Sequence, residues 1–109
     1  MAIKINNNTI TLTRGDTLRV VVGITMDGEE YTPASGDVIR FAMKKKAADE
    51  EVLIEKVIPN DTMTLELEPE DTKSLDFGTY YYDIEVTMED GTVNTFITKS
   101  AFIIAEEIL

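Results

Sequence analysis

Residues 67–86, Leu-Glu-Pro-Glu-Asp-Thr-Lys-Ser-Leu-Asp-Phe-Gly-Thr-Tyr-Tyr-Tyr-Asp-Ile-Glu-Val, restrict the fold more than any other stretch of this chain. Two runs with strand character flank a polar segment that opens at Pro69, and the second run begins at Gly78 with alternating faces. Proline suits the first position of a helix, and Glu70 and Asp71 just behind it favour the same end, so one short helical turn is expected near residues 69–75. Gly78 then allows a sharp reversal into a strand with tyrosines at its start. Such a passage joins one β-sheet to a second sheet packed on it. The segment predicts an all-β fold and names no reaction.

The remaining strands follow from period-2 alternation. Ile3 and Ile5, then Ile10 and Leu12, read as two short strands around an Asn6-Asn7-Asn8 turn. Gly15 and Asp16 turn the chain into Thr17–Met26, where Leu18, Val20, Val22, Ile24 and Met26 share one face. Asp27-Gly28 is a turn, and residues 31–37 are too rich in Pro, Gly and Ser for a regular strand. A hairpin follows from 37–46 and 49–58, with Met43 facing Val52 and Phe41 facing Ile54, both pairs on the core side. Closed at Ala47-Ala48, it sets Lys44, Lys45 and Lys46 against Glu51, Glu50 and Asp49, and Arg40 against Glu55. Ala-Ala is a poor two-residue turn, so a longer loop with the pairing shifted by two is the rival register. Met63, Leu65 and Leu67 point inward from 62–68. The longest hairpin pairs 79–88 with 92–104 across an Asp90-Gly91 turn, in a register that sets Ile84 against Ile97 and Tyr80 against Ala101. The expected core is Leu18, Val20, Val22, Ile24, Phe41, Met43, Ile54, Leu65, Leu67, Tyr80, Tyr82, Ile84 and Ile97. The whole pattern is that of an immunoglobulin-like two-sheet β-sandwich forming one domain, residues 1–109.

Composition narrows the chemistry. The chain has no cysteine and no histidine, which removes disulfides, thiolate catalysis and the usual general base at neutral pH. Serines are present, yet no histidine is there to activate them. Paired carboxylates are available in an acidic chain, but a two-carboxylate hydrolase is expected to line its cleft with aromatics. No enzyme is therefore predicted, and no cofactor. The net charge of −11 opposes nucleic acid. No apolar run reaches the roughly 20 residues needed to span a bilayer, so a soluble cytosolic product is expected. Asp27–Glu30, Glu68–Asp71 and Glu89–Gly91 gather carboxylates without the spacing of a loop built around calcium, and they read as solvated turns. Arg14-Gly15-Asp16 matches an adhesive tripeptide, but its glycine sits where a strand-to-strand turn needs one.

One surface is anomalous. In the expected register of the last hairpin, Tyr81, Phe96, Phe102 and Ile104 lie opposite the core, with Asp83 and Glu85 nearby. Large apolar side chains grouped on an outer face often mark an interface. The competing explanation is that Ile3 and Ile5 fold over them within one chain.

With these elements placed, nearly the whole chain resembles the immunoglobulin-like domain at the N-terminus of phage baseplate upper proteins, and related small prophage tail accessory proteins. The likeness rests on Thr11–Thr17, on Val38–Lys45 with Val52–Ile54, on Leu67–Thr72, and on Gly78–Ile84 with Asp90-Gly91 and Ala101–Ile104. The resemblance implies a structural, non-enzymatic tail or baseplate module in the virion, made in the bacterial host cytoplasm. Its implied partners are other tail proteins and copies of itself. The longer members continue into a stalk or receptor-binding domain beyond this point, so a stand-alone accessory protein, a small tail or neck component and an excised domain all fit. A rival from another class is a carbohydrate- or small-ligand-binding sandwich that aids cell-surface attachment.

Overall fold

Alternation becomes strand wherever one face can be buried. The computed structural model describes residues 3–6, 8–23, 25–26, 29–46 and 48–106, with 3–6 and 25–26 described by their backbone alone. In chain order the strands are β1 (Ile3–Asn6), β2 (Thr9–Thr13), β3 (Leu18–Val21), β4 (Thr25–Met26), β5 (Glu29–Glu30), β6 (Val38–Lys44), β7 (Ile54–Ile58), β8 (Thr64–Leu67), β9 (Gly78–Thr87) and β10 (Val93–Ala105). Helix α1 (Pro69–Lys73) stands between β8 and β9. The larger sheet has six strands in the order β1-β2-β10-β9-β6-β7. All its pairs are antiparallel except β2 with β10, which run parallel. A second sheet of β3 and β8 lies on its inner face, and β4 and β5 form a small ribbon. The passage from β8 through α1 to β9 is the sheet-to-sheet crossover expected after Pro69.

The two sheets bury one core. Ile10, Leu12, Ile39, Phe41, Met43, Ile54, Ile58, Tyr80, Tyr82, Ile84, Val86, Phe102 and Ile104 from the larger sheet meet Leu18, Leu65 and Leu67 from the smaller. Phe41 sits 5.3 Å from the Tyr82 ring and 6.2 Å from Phe102, an aromatic cluster in tilted and edge-on geometry. Val20, Val22 and Ile97 are only partly buried against this core. Ile24 lies outside the described residues. Ile10, Leu12, Ile39, Ile58, Val86, Phe102 and Ile104 belong to the core although they stand outside the expected set, while Val52, expected on the core side, is exposed because the shifted hairpin register leaves it in the loop.

The crossover is tied at both ends. The Glu68 backbone N–H donates to the Asp71 carboxylate at 2.7 Å, capping α1. The same carboxylate takes an ion pair from Lys56 at 3.0 Å. Thr72 is fully buried, and its hydroxyl oxygen accepts the Gly15 backbone N–H at 2.9 Å, fastening α1 to the β2–β3 turn. Gly78 opens β9 with φ of +135°, a conformation L side chains rarely adopt. Two residues on, the buried Tyr80 donates its hydroxyl back to the Asp76 carbonyl at 2.8 Å. This is the tyrosine corner of immunoglobulin-like sandwiches. At the far end of β9 the Asp90-Gly91 turn forms as expected, with Gly91 at φ of +93° and the Thr92 N–H on the Asp90 carboxylate.

Several boundaries and registers differ from the sequence expectation. The strand drawn over 17–26 is interrupted after Val21, where the chain leaves the smaller sheet, although the Val22 N–H still donates to the Met63 carbonyl. The β6–β7 pair takes the shifted register, with Met43 opposite Ile54 and Arg40 opposite Val57. A two-residue hairpin turn needs positive φ at one or both of its residues, which alanine resists, so the pairing shifts by two; Lys44 keeps its place beside β9 while Lys45 and Lys46 lie beyond the β6 ladder. Lys46 and Asp49 still exchange two hydrogen bonds at the loop base. The largest difference is in β10. Its register against β9 shifts once between Thr95 and Ile97 and again between Ile97 and Ser100. Ile84 faces Ile97 as expected, but Tyr80 faces Phe102 rather than Ala101.

Candidate interaction surface

The two bulges in β10 rearrange the surface expected from alternation. Each adds one residue to β10; the pair Ile84–Ile97 keeps the expected register, so the second bulge, between Ile97 and Ser100, moves everything beyond it to the other face. Phe102 and Ile104 are therefore core residues, 0% and 1% exposed, and not interface residues. Their position is fixed a second time from the other side, because parallel pairing sets Phe102 beside Ile10 and Ile104 beside Leu12. Phe96, at the first bulge, is partly buried against the core and stacks on Tyr31 at 5.3 Å between centroids. Of the expected set, Tyr81 alone stays on the outer face of the larger sheet. The N-terminal strand does not lie over that face: β1 pairs beside β2 at the sheet edge.

The residues now beside Tyr81 are different ones. Tyr81 pairs laterally with Ala101 on β10 and with Lys44 on β6. The neighbouring row sets Asp83 beside Ala42, which pairs in turn with Glu55. The next sets Glu85 beside Arg40. Lys99, from the second bulge, reaches over the Tyr81 ring with its ammonium 4.9 Å from the centroid. Ala42, Lys44, Tyr81, Asp83 and Lys99 surround a shallow depression of about 90 Å³. That is well below the roughly 300–1,000 Å³ of small-molecule sites. Ile103 continues the apolar strip between Thr79 and Thr11. Sequence reasoning did not place Lys99 and Ala101 here, because a regular β10 puts them on the core side, nor Ala42 and Lys44, because the pairing of β6 with β9 is long-range and the expected hairpin sets Lys44 against Glu51.

The remaining chemical motifs have structural employment. The Arg14 guanidinium lies 4.1 Å from the Phe77 ring centroid and donates to the Leu75 carbonyl, while Gly15 turns at φ of +83°. Arg14 and Gly15 thus join the β2–β3 turn to the crossover. Among the described residues, no three acidic side chains come together as a metal site would require. A larger open groove of about 590 Å³ runs past Val21, Tyr31, Asn60 and Met63. Two of its polar side chains, Tyr31 and Asn60, are engaged within the fold. Tyr31 donates its hydroxyl to Asp37, and the Asn60 amide donates to the Ala34 and Asp37 carbonyls at 2.9 Å each. The Tyr31 hydroxyl and the Ala34 N–H hold the Asp37 carboxyl below the usual carboxylate range, and the same bond raises Tyr31 above the usual phenol range. This network fastens the 31–37 loop over Phe96. No protein-family model matches this sequence, and no curated protein does either.

Proposed function

We propose that this domain is a non-enzymatic assembly module of a phage or prophage tail or baseplate, making protein–protein contacts through the outer face of its larger sheet. The observation carrying this reading is the strip of Tyr81, Ala101 and Ile103 on that face, bordered by Lys44, Lys99 and Asp83. A central aromatic ringed by polar groups is the usual arrangement of an interaction hot spot. The resemblance of the crossover, the tyrosine-led strand and the closing β10 segment to baseplate domains supplies the biological setting. The ligand-binding alternative has less support, because one face of the Tyr31 ring is taken by Phe96 and its hydroxyl by Asp37.

The test uses particles made by a host carrying the gene. Gold-labelled antibody against this protein should decorate tails or baseplates in negative-stain micrographs, and the protein should co-sediment with the particles. Protein found only in the soluble fraction, with no label on the tails, would overturn the assignment.

A further inference from the structure

The charges on the outer face are arranged by row. Around Tyr81 they are positive, with Lys44 on β6 and Lys99 reaching over the ring. One row along they are negative, with Asp83 on β9 and Glu55 on β7. Arg40 and Glu85 sit side by side one row further and offset each other. A surface that binds its own copy must complement itself under a two-fold rotation. If the axis runs along β9, Asp83 meets Asp83 and Tyr81 meets Tyr81. If it lies in the interface and runs across the strands, between the two rows, each Asp83 comes down over the partner's Tyr81 between two lysines. The second arrangement sets Asp83 of each copy among lysines of the other.

We propose that two copies of this chain pack these faces together about that transverse axis, with Asp83 of each copy set between Lys44 and Lys99 of the other. This rests on the assembly reading above and names one partner for it. Ala42 and Ala101 flank the contact, so short side chains let the backbones approach. Five strands at about 4.8 Å spacing and some 20 Å of length give roughly 500 Å² per copy. The pair therefore buries on the order of 1,000 Å², at the lower end of specific interfaces, which makes a weak dimer. Each chain carries a net charge of −11, so without local pairing the copies repel.

The symmetry supplies a specific test by sedimentation equilibrium. Asp83→Lys and the double variant Lys44→Glu/Lys99→Glu should each lose dimerisation about a hundredfold, since each places like charges together twice. An equimolar mixture of the two should recover it, because both contacts of the mixed dimer are again opposite in sign. Both variants weakened with no recovery on mixing would overturn the arrangement. So would a wild type that stays monomeric up to about 1 mM, a concentration that detects even weak pairs. Neither result bears on whether the protein labels tails. The wild type gives an independent reading, should a variant fail to melt cooperatively. A zero-length carbodiimide should join Asp83 to Lys44 or Lys99 between ¹⁴N- and ¹⁵N-labelled copies. Only same-isotope links at those residues would contradict the proposal.

Discussion

Tyr80 and Gly78 act together at the point where the chain changes sheets. The Tyr80 hydroxyl satisfies the Asp76 carbonyl, and Gly78 supplies a backbone angle that any Cβ opposes. Tyr80→Phe should lower stability by about 1 kcal/mol in urea melts, because a partly buried carbonyl loses its donor. Gly78→Ala should lower it by about 1–3 kcal/mol. Loss below about 0.3 kcal/mol in either variant would contradict this account of the turn. The sequence announced both residues, since a glycine followed two positions on by tyrosine is a local signal. The Tyr31–Asp37 bond was not announced, because its geometry depends on where the 31–37 loop comes to rest. It has a pH signature. Asp37 is held below its unfolded value, so the stability it contributes is present above about pH 4 and is lost as pH falls through the folded value. Tyr31 is raised, so its contribution is present below about pH 10 and is lost as pH rises through the folded value. Tyr31→Phe should flatten the stability–pH curve at both ends, and an unchanged acid limb would show that Asp37 is stabilised by other groups.

At the scale of elements, β10 carries the main lesson. Faces were legible wherever a strand is regular: Phe41, Met43, Leu65, Leu67, Tyr82 and Ile84 are buried as alternation requires. In β10 the bulges break the rule, and their positions answer to long-range partners. Tyr31 holds Phe96, and the parallel β2 aligns Phe102 with Ile10. One signal was nonetheless present. Ile97 and Phe102 differ in parity, so both can face the core only if an odd number of residues is inserted between them. Phe102→Ala should cost about 3–5 kcal/mol by denaturant unfolding, and Tyr81→Ala less than about 1. Equal costs would mean that β10 has a different register from the one described. The crossover gives a second element-scale prediction. Thr72→Val keeps the volume and removes the acceptor for the Gly15 N–H, costing about 1–3 kcal/mol. A neutral substitution would show that α1 is held by packing alone.

Across the whole molecule, the sandwich keeps one face of its larger sheet for the core and presents the other outward. Edges are a hazard for such a sheet, and β7 meets it with Lys56, which points inward and pairs with Asp71. The candidate surface was half legible. Tyr81 was visible from alternation alone, whereas its charged neighbours came into place only through the bulged register and the β6 pairing. The central claim is that this outer face assembles and the interior merely folds. Tyr81→Asp tests it most directly when thermal melting and incorporation into purified particles are measured on the same variant. The account predicts a cooperative melt within about 0.5 kcal/mol of wild type and a variant missing from the particles. A Tyr81→Asp protein that is incorporated like wild type, or one that no longer folds, would contradict it.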